Sequence, residues 1–188
     1  MHPDKLESTL DALAVRGVEC LTLAAAATVV AEEAGNGWGA HHVRVVRGRG
    51  PSGETLASLG APPAPGPSPL VRRVEMGPVR AVPCELVLSI RDPSTVGSTH
   101  LEHDLRLFAR QAGWFLASVD RLENLHHAMA TRATIAQAQG LLMARYDIDA
   151  YQAFLVMRRQ SQETHVRLAQ IAADLVATAP SVDLGEAL

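Results

Sequence analysis

The stretch of sequence that decides the fold is residues 101–143, which read LEHDLRLFARQAGWFLASVDRLENLHHAMATRATIAQAQGLLM. Apolar or small residues recur along it at alternating spacings of four and three, from Leu101 to Met143, over six consecutive heptads. This periodicity predicts one helix of roughly 63 Å at a rise of 1.5 Å per residue. The stripe is too long to be buried against a domain of this size, so it predicts coiled-coil pairing with a second copy of the chain.

The predicted dimer seam uses the heptad positions of the first two thirds of this helix. It consists of Leu105, Phe108, Ala112, Phe115, Val119, Leu122, His126 and Met129. Beyond Met129 the repeat turns to alanine and glycine, which bury little area, so the seam is expected to weaken there. The alternative is a helix that breaks near Asn124 and packs both halves inside one monomer.

Upstream of this helix the sequence predicts helices followed by an antiparallel sheet, which is an α+β arrangement. The predicted elements are helices at 4–16 and 18–34 and strands at 42–47, 54–59, 70–76 and 79–90. Gly35-Asn36-Gly37 is expected to end the second helix, and Gly77-Pro78 to form the turn between the last two strands. Residues 61–69 contain five prolines and are expected to form a loop.

Downstream of the long helix, two short helices are predicted. Asp149 is a candidate N-cap for the first of them and has capping-box spacing to Gln152. Thr164 is the candidate cap of the second, whose apolar positions extend from Val166 to Val176. Residues 179–188 are expected to form a flexible tail.

The composition of the 188-residue chain is that of a globular protein, with 47% apolar and 20% charged residues. The formal net charge is −3, and no segment is basic enough to require nucleic acid on electrostatic grounds. Apolar runs are too short for a membrane span, the N-terminus lacks a signal-peptide pattern, and two cysteines give no disulfide framework. We therefore expect a cytoplasmic protein with reduced cysteines and no membrane partner.

Motifs typical of catalysis, metal binding or cofactor binding lack the context that they require. Residues 48–53 match Gly-x-Gly-x-x-Gly, but a strand is predicted to follow, so they are interpreted as a hairpin turn. His100 and His103 are one helical turn apart without a convincing third metal ligand, and Cys84 is expected in the core. We therefore expect no enzyme activity, no metal and no cofactor.

Basic residues in the C-terminal third are the remaining candidates for function. They are Arg132, Arg145, Arg158, Arg159 and Arg167, joined by the polar side chains of Gln137, Gln139, Ser161 and His165. Charge alone favours a solvated helical surface. The last helix also resembles the recognition helix of a helix-turn-helix, which keeps DNA as an alternative target.

The same third of the chain carries the pattern of a known domain. Residues 132–145 read RATIAQAQGLLMAR and resemble the opening helix of ANTAR domains, which are bacterial transcription antitermination modules. The resemblance continues through Ala153-Phe154, residues 157–161 (MRRQS) and residues 166–172 (VRLAQIA). It covers about residues 128–178 and implies a three-helix bundle that binds RNA hairpins in nascent transcripts and opposes terminator formation.

This resemblance assigns two sets of residues. The positions that it implies for packing are Ala138, Gly140, Met143, Ala153, Phe154, Leu168 and Ala172. It places Arg158, Ser161 and Arg167 on polar positions that could touch RNA, and the full set of predicted RNA-contact residues is Arg132, Gln139, Arg145, Arg158, Arg159, Ser161, His165 and Arg167. Two of the latter depart from the family pattern, because Gln139 stands where lysine is usual and His165 where asparagine is common. Loss of the lysine removes a phosphate contact and should flatten the salt dependence of RNA binding.

The N-terminal part, residues 4–120, resembles a GAF sensor domain in the order of its elements and in the segment Leu56-Ala57-Ser58-Leu59-Gly60. Residues 101–130 form the coiled-coil linker that overlaps its end. The short proline loop after Gly60 stands where such domains insert a strand and a helix over a ligand pocket. This favours a sensor or dimerisation platform with a small, open or absent pocket, for which a small ligand or a signalling protein is a candidate partner.

These features predict a homodimeric, RNA-binding transcription antitermination regulator. Two alternatives stay open at this point. One is a DNA-binding regulator that uses the last helix, and the other is a protein-interaction module with a degenerate sensor domain that has lost nucleic-acid binding.

Overall fold

In the computed structural model, residues 3–49, 52–62, 70–90 and 99–178 are described. The elements in chain order are α1 (Pro3–Gly17), α2 (Leu23–Trp38), β1 (His42–Arg47), β2 (Glu54–Leu59), β3 (Leu70–Val79), β4 (Val82–Ile90), α3 (Thr99–Tyr146), α4 (Ala150–Thr164) and α5 (Leu168–Ala177). The predicted α+β class is confirmed. The expected tail at 179–188, most of the proline loop and the side chain of His100 lie outside the described residues.

The long helix α3 is one element of 48 residues, so the alternative of a break near Asn124 is wrong. The chain divides into two compact units, Met1–Glu123 and Asn124–Leu188, and the division falls within this helix. None of the helices in the described ranges combines the length and the apolar character that crossing a membrane requires.

The sheet of the first unit has the strand order β2-β1-β4-β3, with every neighbouring pair antiparallel. The bounds of β1 and β2 are those that alternation predicted. The two strands form a hairpin, and β2 rather than a helix follows the glycine-rich segment. The prediction that residues 48–53 join two strands of a hairpin agrees with this pairing, although Gly50 and Pro51 lie outside the described residues.

The prediction of a turn at Gly77-Pro78 is wrong, because β3 continues to Val79 and the chain reverses at Arg80 and Ala81. Both turn residues have positive φ, 52° and 61°, which is the backbone of a type I′ hairpin turn. Gly77 instead lies beside an irregularity in the β3–β4 register, where its φ is 105°. The Arg80 Nε–H donates to both oxygens of the buried Asp120 carboxylate, at 2.9 and 3.0 Å. This contact holds the turn against α3.

The prediction that Gly35-Asn36-Gly37 ends α2 is also wrong. The helix continues to Trp38, whose buried ring packs on Phe108 with centroids 5.0 Å apart. A Cβ atom added at Gly37 would lie 3.1 Å from Thr9 Oγ1, so this glycine permits α1 and α2 to approach closely. Gly39 follows Trp38 as the C-cap of α2 and adopts the left-handed conformation that favours glycine.

The core of the first unit includes one face of the sheet. Val43 and Val45 of β1 pair with Leu88 and Leu86 of β4, and all four side chains are buried. Cys84 is buried on the same strand, as predicted. Helix α3 approaches β3 so closely that a Cβ atom added at Gly113 would lie 1.7 Å from the Met76 carbonyl oxygen.

The first part of the predicted dimer seam lies inside this core. The buried seam residues are Leu105, Phe108, Ala112 and Val119. Phe115 is half-buried, and a Cβ atom added at Gly17 of α1 would meet its ring at 2.6 Å. These five side chains therefore pack within their own chain, whereas the seam residues Leu122, His126 and Met129 are exposed.

The second unit is a bundle of three helices, formed by the end of α3 with α4 and α5. Its buried residues are Ala138, Leu142, Ala153, Met157, Ile171 and Ala172. Three of the positions assigned to packing are therefore buried, while Leu168 and Phe154 are half-buried. The prediction that Gly140 and Met143 pack in the bundle is wrong, because Gly140 faces open space and Met143 is exposed. Both lie away from the face of α3 that carries the buried residues Ala138 and Leu142; of these two, Leu142 was not among the predicted packing positions.

Capping at the two turns of the bundle was predicted in part. Asp149 caps α4 by accepting from the Gln152 backbone N–H at 2.7 Å, and the Gln152 side chain accepts from the Asp149 N–H, so the capping box is confirmed. The assignment of Thr164 as the cap of α5 is wrong. Thr164 is the last residue of α4 and donates to the Gln160 carbonyl, whereas α5 begins after Arg167 without a side-chain cap.

Candidate nucleic-acid interface

Helix α3 presents two small or apolar faces within the second unit. Its inner face contains Ala138 and Leu142, which are buried in the bundle, and Ile135, which packs on them. The opposite face carries the heptad positions Met129, Ala133, Ala136, Gly140 and Met143, all of them exposed. The outer face continues the predicted seam and has no partner among the described residues of its own chain.

The end of α4 and the turn to α5 contain three of the predicted RNA-contact residues, Ser161, His165 and Arg167. Ser161 stands one helical turn after Arg158, and its hydroxyl donates to the Val166 carbonyl at 2.7 Å. His165 ends α4 in the left-handed conformation with φ 58°, and Arg167 occupies the N-cap position of α5. Ser161 and His165 therefore shape the turn, while Arg167 is exposed at the start of α5 and Arg158 is exposed on α4.

The two departures from the family pattern have structural explanations. Gln139 is half-buried, and its Nε2 donates to the Ala150 carbonyl at 3.1 Å, which ties α3 to the first residue of α4. His165 occupies a left-handed position, and asparagine adopts that conformation more readily than most residues. The usual asparagine is thus explained by backbone geometry as well as by any contact with RNA.

The remaining predicted contact residues, Arg159, Arg145 and Arg132, differ in the neighbouring groups that they contact. Arg159 donates from Nε to the Glu163 carboxylate at 2.7 Å, which raises the pKa of the guanidinium further above its usual value. Arg145 lies 5.8 Å from the centroid of the Tyr146 ring. Arg132 is exposed and precedes Arg145 by 13 residues, about 20 Å along the helix. Arg132 and Arg145 lie on α3, and Arg159 lies on α4 next to Arg158.

An exposed tyrosine on α4 was missed by the sequence analysis. Tyr151 is 70% exposed, and Leu155 and Arg158 follow it at spacings of four and three, so the three share one outward face of the helix. Phe154, the aromatic residue considered for packing, is half-buried. The helical spacing of Tyr151 to an arginine was the signal that could have identified it.

The charge of the described bundle is nearly balanced. Residues 124–178 contain five arginines and four acidic residues, which leaves a net charge of +1 before histidine protonation. Non-specific attraction to a polyanion is therefore weak in this unit. Recognition of nucleic acid would depend on the few arginines whose guanidinium groups are exposed to solvent and form no ion pair with a carboxylate of the described residues.

Comparison with protein families identifies the domain formed by this bundle. Residues 123–176 match the family model described as ANTAR domain, so an ANTAR domain is present at these positions. ANTAR domains are associated with RNA-binding antitermination regulators. A GAF domain is not shown by this comparison. Comparison with curated proteins and with solved structures gives no match.

Proposed function

We propose that this protein is an RNA-binding transcription antitermination regulator that binds hairpins in nascent transcripts as a homodimer. The observation that carries the proposal is the ANTAR match over residues 123–176, which coincides with a compact three-helix unit. RNA loops expose unstacked bases and phosphates, which arginine, amide and aromatic side chains bind. This function requires no catalytic residue and no cofactor, and it is exercised in the cytoplasm.

The RNA-binding face that we propose is centred on the α4–α5 turn. Arg167 supplies an exposed cation there, and α4 adds the exposed Arg158, which shares a face of this helix with Tyr151. Ser161 and His165 hold the turn in place through the Val166 hydrogen bond and the left-handed cap. Arg132 and Arg145 extend the cationic surface along α3, and Gln139 holds α4 against it.

Arg159 has a secondary role in this proposal. Its ion pair with Glu163 is between two exposed side chains, and such pairs contribute little to stability. Glu163 nevertheless offsets the charge of Arg159 locally, so a phosphate gains less from this arginine than from its neighbour Arg158. The two adjacent arginines therefore form a matched pair for mutagenesis.

The homodimer is proposed on the exposed face of α3. Leu122, His126 and Met129 are exposed positions of the heptad pattern, while the earlier seam residues pack within their own chain. A second copy covering these side chains would bring two ANTAR bundles together. Two bundles on one transcript bind paired hairpin loops with higher avidity than either alone.

The N-terminal unit is proposed as a GAF-like sensor or dimerisation platform. Its antiparallel sheet of order β2-β1-β4-β3, packed with α1, α2 and the start of α3, supports this assignment at the level of architecture. A small ligand or a signalling protein that binds this unit would change dimerisation or the register of α3, and so the presentation of the bundles to RNA.

Gel-shift titration of the full chain with RNA hairpins and with duplex DNA tests the function. We expect hairpin binding that weakens with salt, and we expect Arg158→Gln to reduce affinity up to about tenfold and to lower the salt slope by about 1. Arg159→Gln is the matched control and should have the smaller effect. Equal or tighter binding of duplex DNA would overturn the proposal, as would the absence of hairpin binding.

The DNA-binding alternative has weaker support from the composition of its key helix. Helix α5 contains no lysine or arginine and carries Asp174, whereas a recognition helix reads base edges with cationic and amide side chains. A protein-interaction module remains the outcome if neither nucleic acid binds. Light scattering at micromolar concentration tests the dimer separately, and a strict monomer would exclude the paired-bundle arrangement.

A further inference from the structure

A groove runs along the first unit between the edge strand β3 and helix α3. Its volume is about 1190 Å³, and the residues that line it extend from Arg72 to Pro78 on the strand and from Glu102 to Arg121 on the helix. The floor is apolar and includes the buried side chains of Trp38 and Met76. All residues that line the groove belong to the first unit, and none belongs to the ANTAR bundle.

The rims of the groove are strongly cationic. Five arginines line it, Arg72, Arg73, Arg106, Arg110 and Arg121, against the two carboxylates of Glu75 and Glu102. Glu102 is paired with Arg106 at 2.6 Å, and Glu75 lies 3.7 Å from Arg49 outside the groove. Arg73 lies 3.5 Å from Glu85.

Three of these arginines are free to bind a ligand. Arg72, Arg110 and Arg121 are exposed and form no ion pair with the described residues. Arg110 and Arg121 are eleven residues apart on α3, roughly 16 Å along the helix. Cations spread over that distance match an elongated polyanion better than a compact anion.

An unusually exposed tryptophan lies on the same groove. Trp114 lines it and is 74% exposed, although tryptophan is largely buried in most proteins. The volume of the groove, about 1190 Å³, also exceeds the roughly 300–1000 Å³ that is typical of pockets for small ligands. A cationic groove with an exposed aromatic ring is the arrangement that binds single-stranded nucleic acid, because arginines contact phosphates while bases stack on the ring.

We propose that this groove is a second RNA-binding site, which takes single-stranded RNA with one base stacked on Trp114 and phosphates bound by Arg72, Arg110 and Arg121. The choice of RNA rests on the proposed function, since a regulator that binds hairpins meets unpaired transcript on either side of them. The charge and the exposed ring supply the rest of the assignment.

Tryptophan fluorescence of the full chain provides the test, because Trp114 is exposed and the other tryptophan, Trp38, is buried. The probe is an unstructured oligouridylate of about 12 nucleotides. We expect quenching that saturates, weakens with salt and is lost in Trp114→Phe. Anisotropy of a labelled probe should show at least about fivefold weaker binding for Trp114→Ala, and for Arg110→Gln with Arg121→Gln.

Arg49→Gln is the matched control, because Arg49 is exposed and does not line the groove, and its 3.7 Å pair with the groove residue Glu75 joins two exposed side chains and contributes little. It should leave the affinity for the oligouridylate within about twofold of the wild type. All of these substitutions are at exposed side chains, and unchanged circular dichroism confirms that the variants fold. Equal weakening by the control would overturn the assignment of the site to the groove.

Three further results would overturn the proposal. They are the absence of quenching, tighter binding of polyglutamate than of RNA, and binding of uridine monophosphate as tightly as of the oligonucleotide. The hairpin titration distinguishes this failure from that of the proposed function. Hairpins that bind while the oligouridylate leaves Trp114 unaffected refute the groove alone, and the reverse result refutes the hairpin-binding function alone.

Discussion

Two stretches of α3 share one heptad pattern and differ in what covers it. In residues 105–119 the heptad side chains pack into the core of their own unit, with Phe108 and Ala112 fully buried. In residues 122–143 the same positions are exposed, and Met129 is 59% exposed. The sequence period is unchanged across the boundary between the two units, but the environment of the stripe is reversed.

This difference separates what a periodic pattern determines from what it leaves open. A period of 3.5 determines that a helix forms and which residues share a face. The partner of that face depends on the other elements of the chain. The first unit supplies α1, α2 and a sheet to cover the stripe, whereas α4 and α5 pack on the opposite face of α3, at Ala138 and Leu142.

The largest expected effect comes from truncating a heptad side chain in each stretch. Phe108→Ala removes a fully buried ring that contacts Trp38, so it should lower the free energy of unfolding by about 3–5 kcal/mol. Met129→Ala should change the unfolding of the monomer by less than about 0.5 kcal/mol. Denaturant titration followed by tryptophan fluorescence measures the first unit, because both tryptophans belong to it.

Sedimentation equilibrium completes this comparison. We expect Met129→Ala to weaken self-association, since Met129 is an exposed residue of the proposed seam. A Phe108→Ala variant as stable as the wild type would contradict the intrachain packing of the first stretch. Unaltered self-association of Met129→Ala would remove this residue from the seam.

The two glycines of α3 give an effect of intermediate size and of opposite sign. Gly113→Ala places a Cβ atom against the Met76 carbonyl and should destabilise the first unit by about 1–3 kcal/mol. Gly140→Ala enters open space in a helix interior and should stabilise the second unit by about 0.5–1 kcal/mol. Thermal unfolding by circular dichroism at the helix band measures both.

Each glycine serves as the control for the other, because the chemical change and the helix are the same. Destabilisation by Gly140→Ala would mean that another chain contacts this position closely, and it would extend the dimer seam beyond Met129. A neutral Gly113→Ala would mean that α3 is less close to β3 than its backbone position indicates.

Much of the fold could be predicted from local patterns. The α+β class, the bounds of β1 and β2, the unbroken α3 and the Asp149 capping box all follow from alternation, heptad spacing and cap chemistry. Two of the errors arose where glycine was interpreted as a local breaker. Gly37 and Gly77 serve instead for helix contact and for an irregularity in strand register, and these depend on neighbours distant in sequence.

The candidate site was predictable in identity more than in role. The motif assigned Arg158 and Ser161 to the same polar surface, but only the folded turn separates an exposed guanidinium from a hydroxyl that donates to the Val166 carbonyl. Gly140 and Met143 were assigned to packing because a motif does not say which face of a helix the bundle covers. The groove with Trp114 joins a strand and a helix distant in sequence, so no local pattern indicates it.

A smaller effect is expected at the α4–α5 turn of the second unit. His165 has φ 58°, a conformation that costs most residues with a side chain about 1 kcal/mol. His165→Gly should therefore raise the unfolding free energy of this unit by up to about 1 kcal/mol, and His165→Asn by less. Circular dichroism measures the change, and a loss of stability in both variants would mean that the imidazole makes a contact which outweighs the backbone strain.

The smallest expected effect is a pH dependence confined to the first unit. Burial is the main cause that lowers the pKa of His42 below its usual value of 6.5, and the nearby charges of Arg44 and His41 act in the same direction. As the pH falls through 6.5, the unfolded chain takes up this proton before the folded chain does, so stability present above 6.5 is progressively lost. The tryptophan-detected unfolding free energy should therefore fall between pH 7.5 and 5.5, and it should fall less in His42→Gln.

His103→Gln, at an exposed position on α3, is the control that should keep the wild-type slope. Equal slopes in the wild type and His42→Gln would assign the pH dependence to other groups.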